Sequence, residues 1–151
     1  MSDRFFGAIE VGGDVTRDQQ DGMVEVERAV RRAVVSPGGT LQVTDELAEY
    51  GRFSALEAYL IEQGIPFDGH SGSYGEFDAE EYSFRPGMSE PLEASADADG
   101  VVMADATEVL SYIRLGLTED RIPSPADGGD VGLALVRLRE ASPLPPFRIV
   151  E

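Results

Sequence analysis

The stretch Phe53-Ser-Ala-Leu-Glu-Ala-Tyr-Leu-Ile-Glu-Gln-Gly64 carries the clearest helix pattern in this chain. Ser54 and Glu57 have the spacing of a capping box, in which two residues satisfy each other's backbone N–H groups at the start of a helix. Gly64 is the residue type that most readily ends a helix. The apolar residues between these ends recur at helical spacing: Phe53, Leu56, Tyr59 and Leu60. We therefore predict a helix over residues 54–63, with the hydrophobic core built on its apolar face.

The residues before this helix indicate two short strands and one further helix. Residues 5–11 are rich in strand-forming types and are followed by two glycines, which predicts a first strand. Met23, Val26 and Val30 recur at helical spacing, so we predict a helix over about residues 22–34. Residues 40–43 can form a second short strand. We interpret residues 45–50 as a further helical turn.

Short strands and loops are predicted after the central helix. Residues 65–67 indicate a strand, and their proline favours either an edge strand or the first position of a strand. A loop rich in glycine and serine, residues 69–75, follows. The aromatic segments 74–77 and 82–84 are typical of a hairpin, with its turn around residues 78–81.

The next part of the chain has fewer apolar anchors. Residues 87–100 are predicted to form a mobile loop, and residues 101–103 a short buried strand. Asp105 and Glu108 have the spacing of a helix cap, and we expect that helix to stop at Gly116. The residues expected to be buried on it are Ala106, Val109, Leu110 and Ile113.

The C-terminal part completes the predicted architecture. Apolar spacing favours a helix rather than a strand over residues 130–141, and prolines then lead into a last strand at residues 147–150. Strands and helices alternate without a regular βαβ repeat. We therefore predict one acidic α+β domain over residues 1–151, in which about four helices cover a small, largely antiparallel sheet of short strands.

Acidic side chains are concentrated in the middle of the chain. Residues 45–108 carry sixteen of them against two arginines, Arg52 and Arg85, which gives −14 of the formal net charge of −17. A field of one sign attracts basic partners and speeds their encounter. Lysine and asparagine are absent. A GC-rich genome or a halophilic source would explain that composition, but neither would explain the concentration of acids in the middle.

Several classes of protein are disfavoured by what the sequence lacks. There is no cysteine, hence no disulfide and no thiolate chemistry, and the single histidine, His70, cannot by itself build the usual zinc site. No nucleotide-binding or zinc-protease motif is found, so we predict no cofactor and no metal. The absence of a long apolar run or a secretory pattern leads us to expect a soluble, cytoplasmic protein without membrane contact.

One local pattern suggests nucleophilic catalysis. Asp68, His70, Ser71 and Ser73 are close neighbours in sequence. The members of a catalytic triad normally come from separated segments and need an oxyanion hole. A polar turn is the interpretation that we favour for these residues.

Other candidate chemistry is equally weak. Ser95, Asp97 and Asp99 match the first positions of a calcium loop, but Ala106 stands where that loop needs a bidentate glutamate. Adjacent carboxylates such as Glu80 and Glu81 are expected by chance in so acidic a segment, so we predict no catalytic residues. A basic patch for direct nucleic-acid binding is also lacking.

The acidic middle also contains clustered aromatic residues, which are mostly expected in the core. Aromatic side chains are enriched at the centres of interfaces, so an exposed tyrosine within the acidic field would be a natural anchor for a partner. The predicted partner-binding residues are Glu46, Glu49, Glu62, Glu76, Asp78, Glu80, Glu81, Tyr82, Glu90 and Glu93.

These patterns favour a binding protein rather than an enzyme. We expect its acidic face to dock on a basic protein that handles nucleic acid, as a mimic of nucleic acid and an inhibitor. Small anti-restriction and anti-CRISPR proteins of phages and mobile elements work in this way, and the analogy rests on size, charge and missing catalytic motifs. Two alternatives stay open: an accessory or housekeeping domain whose acidity is compositional, and a small enzyme that uses acidic residues near His70.

Overall fold

The computed structural model describes residues 3–73, 78–97, 99–117 and 121–151. The strands, in chain order, are β1 (Arg4–Val11), β2 (Gly13–Thr16), β3 (Val34–Val35), β4 (Leu41–Glu49), β5 (Phe67–Ser71), β6 (Ala79–Phe84), β7 (Leu92–Ala96) and β8 (Phe147–Val150). The α-helices are α1 (Arg17–Val26), α2 (Ser54–Gln63), α3 (Ala106–Arg114) and α4 (Val131–Ala141). Two 3-10 turns, Arg28–Arg32 and Pro125–Asp127, complete the elements described.

Six of the strands form one antiparallel sheet in the order β3-β4-β1-β5-β6-β7. Strands β2 and β8 form a separate parallel pair, which joins the end of the chain to the residues just before α1. The α+β class and the largely antiparallel sheet predicted from the sequence are thus confirmed. No helix in the described part of the chain has the length and apolar character that crossing a membrane requires.

The core lies between one face of the sheet and the helices α1 and α2. The burial of strand β1 agrees with this arrangement. Its buried residues alternate with more exposed ones, as expected for a strand with one covered face. Met23 of α1 and Leu56 and Leu60 of α2 are fully buried against that face. The sheet supplies most of the remaining core side chains: Ile9, Val11, Val43, Phe67, Tyr82 and Phe84.

Helix α2 has the predicted bounds but not the predicted cap. Phe53 occupies the N-cap position and makes no side-chain cap, so the capping box predicted from Ser54 and Glu57 is wrong. The Glu57 carboxylate instead accepts the Phe53 N–H at 3.2 Å. It can do so because Arg52 holds it beside the start of the helix. Gly64 ends the helix in the left-handed conformation, as predicted.

Two predictions on the N-terminal side need correction. The helix predicted over residues 22–34 begins earlier, at Arg17, and is interrupted at Glu27, where the backbone is extended and the carboxylate caps a 3-10 turn. Residues 45–50 do not form a helical turn, because residues 45–49 extend β4. They pair with β1 from Gly7↔Asp45 to Arg4↔Glu49, and this pairing determines their conformation.

Three loop predictions are also wrong in part. Residues 69–71, expected in a loop, belong to β5, and residues 79–81, expected in a turn, belong to β6. Residues 92–96, within the predicted mobile loop, form the strand β7 and pair with β6. The predicted strand at residues 74–77 lies outside the described residues.

The C-terminal helices are present where predicted, and their packing differs. Asp105 caps α3 by accepting the Glu108 N–H, and residues 131–141 form the helix α4. However, Leu110 and Ile113 are exposed and Tyr112 is the buried residue of α3. Residues 101–103 contribute one isolated bridge rather than a buried strand. The predicted last strand is confirmed as β8.

Candidate functional site

The outer face of the sheet, opposite α1 and α2, carries a group of polar side chains. Strand pairing places Gln42, Glu10, Asp68 and Ser83 side by side in one row across four strands. The next row is Thr44, Ala8, His70 and Glu81. Chemistry-bearing residues from four separate strands therefore share one surface.

His70 lies within strand β5, not in a turn, so the turn interpretation is wrong. Its Nδ1 atom is 2.9 Å from Oε2 of Glu81, its direct partner on β6. The Phe6 ring lies near the imidazole, with ring centres 6.1 Å apart. The carboxylate fixes the orientation of the imidazole, and the second ring nitrogen, Nε2, is left for other contacts.

Arg139 extends this group from helix α4. Its guanidinium donates to Glu81 Oε1 at 3.3 Å, to Ser83 Oγ at 2.7 Å and to the Tyr82 carbonyl at 3.0 Å. Glu81 is therefore shared between a histidine and an arginine. One side chain of α4 joins that helix to the middle of the sheet.

Asp68 is held by a second arginine, Arg85, which is only 5% exposed. The Arg85 guanidinium donates to Asp68 at 2.9 Å and also to the carbonyls of Phe67, Phe84 and Ser142. The Ser83 hydroxyl donates to the same Asp68 carboxylate. Ser83 is therefore engaged with both Asp68 and Arg139 and is not a free nucleophile.

A polar groove of about 300 Å³ runs over this surface. The residues that line it are Ala8, Glu10, Gln42, Asp68, Gly69, His70, Glu81 and Arg139. Glu10 is half-buried and makes no hydrogen bond or ion pair with any residue the structure describes. The described residues contain no group of three or more histidine or acidic side chains arranged to hold a metal ion.

A separate buried ion pair lies beneath the sheet at the start of α2. Arg52 donates to Glu57 at 3.0 Å and to Glu93 at 2.9 Å, and its guanidinium carbon lies 3.7 Å from the centre of the Tyr82 ring. Burial acts to lower the pKa of Arg52, but the hydrogen bonds and charges of its acidic partners outweigh burial and raise it. Loss of one partner from this cluster would leave the other with an uncompensated, partly buried charge.

Tyr82 was predicted to contact a partner, and that prediction is wrong because its side chain is fully buried. Its ring packs over Gly69 on the neighbouring strand, where a Cβ atom would overlap it. The hydroxyl meets no standard hydrogen-bond geometry with a described residue, although the Glu57 carboxylate lies close enough to interact with it. Burial, together with the negative charge of Glu57, raises the pKa of Tyr82.

Many of the remaining acids lie at one end of the sheet. Strand pairing aligns Asp45, Gly7, Ser71, Glu80 and Ser95 in one row near this end. We use the term acidic end for the carboxylates on or beyond this row: Asp3, Asp45, Glu46, Glu49, Asp78, Glu80, Asp97 and Asp99. Asp97 also closes a turn by accepting the N–H groups of Asp99 and Val101.

The predicted partner-binding residues do not all share this end. Glu62, near the end of α2, and Glu90, between β6 and β7, lie at the opposite end of the sheet and are not part of the acidic end. Glu81 points into the polar groove and Glu93 pairs with Arg52. Glu76 lies outside the described residues. Glu46, Glu49, Asp78 and Glu80 are at the acidic end.

The sequence contained a weak signal for this site. In β5, Phe67, Gly69 and Ser71 alternate with Asp68 and His70, which is the pattern of a strand with one polar face. The glycines and serines in this segment favour a loop instead, and they mask the strand pattern. Glu10, Arg85 and Arg139 carried no local motif, because their role depends on strands and helices that are distant in sequence.

Comparison with protein-family models, with curated proteins and with solved structures finds no match to this chain. The roles of the outer face and of the acidic end are therefore argued from geometry and charge.

Proposed function

We propose that this protein is a non-enzymatic binding protein that docks on a basic partner through the acidic end. The observation that carries the proposal is the meeting of carboxylates from β4, from the residues around the start of β6 and from the turn after β7 at one end of the sheet. Glu46, Asp78 and Glu80 make no ion pair with a described residue. Their negative charge is therefore available to attract a positively charged partner.

Two arginines near the acidic end, Arg4 and Arg52, are outnumbered by its carboxylates. Arg52 forms ion pairs with Glu57 and Glu93. Arg4 donates to the Leu47 carbonyl. A surface with many carboxylates and few free cations produces a field that attracts positive charge and raises association rates.

The class of partner that fits best is a protein that binds nucleic acid. Such a protein presents arginine and lysine side chains spaced to contact phosphates. Carboxylates held on a rigid sheet can occupy the same groove, so that the partner binds this protein in place of DNA or RNA. This is the mimic and inhibitor role expected of a phage or mobile-element protein that counters host defence.

The test is capture of the partner from cells of the native host at low salt, with two variants compared. The first replaces three acidic-end residues: Glu46→Gln, Asp78→Asn and Glu80→Gln. The matched control removes the same number of charges elsewhere: Asp21→Asn, Glu25→Gln and Glu140→Gln. We expect the control to retain a nucleic-acid-binding protein that the first variant loses and that duplex DNA displaces. Equal capture by both variants would contradict the proposal and favour compositional acidity.

One observation favours a second candidate, an enzyme. Asp68, His70 and Glu81 line a single groove, and a carboxylate that orients a histidine is the arrangement of a general base. Against this, both carboxylates are bound by arginines, and Ser83 is engaged. The dyad would therefore have to activate water. The enzyme candidate would be favoured if the protein showed a hydrolytic activity and if His70→Ala abolished that activity without unfolding the protein.

A further inference from the structure

The polar groove on the outer face carries a specific inference that rests on the proposed function. Its floor is Ala8, whose small side chain lies between larger neighbours, His70 on β5 and Thr44 on β4. The lining residues on β1 are Ala8 and Glu10, and Phe6 precedes them on the same face of that strand.

The lining of the groove contains one uncompensated carboxylate, which favours a positively charged ligand. Its lining holds three carboxylates, Glu10, Asp68 and Glu81, and two arginines compensate them: Arg139 in the lining and Arg85, which binds Asp68. Asp68 and Glu81 are already bound by arginine side chains. Glu10 is the carboxylate of the groove that has no partner among the described residues, and Gln42, its cross-strand neighbour, is likewise without one.

We propose that this groove binds the guanidinium group of an arginine side chain on the partner. The planar group would lie at Glu10, where the carboxylate can accept two parallel N–H bonds and the Gln42 side-chain oxygen a third. The aliphatic part of the arginine would lie along Ala8. The rings of His70 and Phe6 would flank it where it leaves the groove.

Arginine fits this groove better than lysine for a geometric reason. Guanidinium has five donors in a plane and stacks against rings, whereas an ammonium is a compact point charge with strong hydration. A pair of neighbouring acceptors at the inner end of the groove matches the first better than the second. The groove volume, about 300 Å³, leaves room for one such side chain.

The experiment titrates ¹⁵N-labelled protein with three peptides: acetyl-Gly-Arg-Gly-amide and the same peptide with lysine or with uncharged citrulline in place of arginine. With the arginine peptide we expect amide shifts at Ala8, Glu10, Gln42 and His70. We expect weaker binding of the lysine peptide and none of the citrulline peptide. Equal affinity for arginine and citrulline, or for arginine and lysine, would overturn the inference.

Variants locate the site. Glu10→Gln should weaken the arginine peptide about tenfold, because a charge-assisted hydrogen bond is lost. Ala8→Leu, which fills the groove without changing charge, should also weaken it. Glu25→Gln on α1 removes the same charge as Glu10→Gln at an exposed position outside the groove and should change nothing.

The outcomes separate this inference from the proposed function. The groove inference would be refuted if the arginine peptide shifted only amides at the acidic end and if Glu10→Gln did not change its affinity. The acidic-end proposal would still stand. Loss of partner capture in the acidic-end variant, together with the expected groove shifts, would support both. Absence of groove shifts combined with equal capture by the acidic-end and control variants would overturn both.

Discussion

His70 and Glu81 are direct cross-strand partners on β5 and β6, and their side chains are joined by a 2.9 Å hydrogen bond. Glu81 also receives Arg139 from α4. This carboxylate, one of the sixteen acids in the middle of the chain, is therefore part of the internal structure of the outer face. The acidic segment thus serves two purposes: some carboxylates hold strands and helices together, and others face solvent.

Removal of the Leu56 side chain tests the core around α2. Leu56 is fully buried, so Leu56→Ala should lower the free energy of unfolding by about 2–5 kcal/mol through lost burial and a cavity. Ser54→Ala is the matched control, since Ser54 is exposed and makes no cap, and it should change stability by less than about 0.5 kcal/mol. Urea denaturation midpoints measure both. A large loss of stability in the Ser54 variant would show that Ser54 does cap the helix.

The buried ion pair beneath the sheet predicts a larger effect than a surface pair would give. Glu57 is 6% exposed and bonds both Arg52 and the Phe53 N–H. Glu57→Ala should destabilise the protein by about 3 kcal/mol, because it leaves a partly buried guanidinium with one weaker partner, Glu93. Asp21→Ala, at an exposed position on α1, should have little effect. Equal shifts of the thermal unfolding midpoint in both variants would contradict the role given to the Arg52–Glu57 pair.

Tyr82→Phe should raise stability at neutral pH by about 1 kcal/mol. The mutation removes a buried hydroxyl that makes no hydrogen bond of standard geometry with a described residue, and it keeps the ring on which Arg52 rests. A loss of stability would show that the hydroxyl has a partner in solution.

The same residue predicts a dependence of stability on alkaline pH. The folded-state pKa of Tyr82 is raised by burial and by Glu57, whereas the unfolded chain releases that proton near pH 10. The contribution of Tyr82 is thus fully present below about pH 10 and is lost as the pH rises above it. Denaturation at a series of pH values should show the wild type losing more stability above pH 10 than the Tyr82→Phe variant. Parallel curves would contradict the prediction.

The elements best predicted from the sequence were those with consistent local signals. Helix α2 combined apolar spacing with a terminal glycine, and α3 had its acidic cap, so both were predicted with nearly correct bounds. Strand β7, with Leu92, Ala94 and Ala96 on one face, was missed because its residue types are weak strand formers. Pairing with β6 and cover from α4 determine its conformation, and neither leaves a local pattern.

The candidate site was less predictable than the fold. The concentration of acids was visible, but which of them face solvent depends on arginines distant in sequence. Arg139 on α4 binds Glu81 on β6, and Arg148 near the chain end binds Asp14. Pairings of this kind follow from the folded arrangement of strands and helices, and no spacing rule predicts them.

The central claim is that the acidic end guides a basic partner to this protein, and the most direct test is the association rate of the captured partner at varied salt. Stopped-flow mixing would compare the wild type, the acidic-end variant and the control variant between about 0.02 M and about 0.15 M salt. Exposed charges are screened over about 8 Å at the higher value. We predict a several-fold fall in the association rate with salt for the wild type and the control, a smaller change in the dissociation rate, and a slow, nearly salt-independent association for the acidic-end variant. A rate that is insensitive to salt, or that is the same for the two variants, would contradict the account.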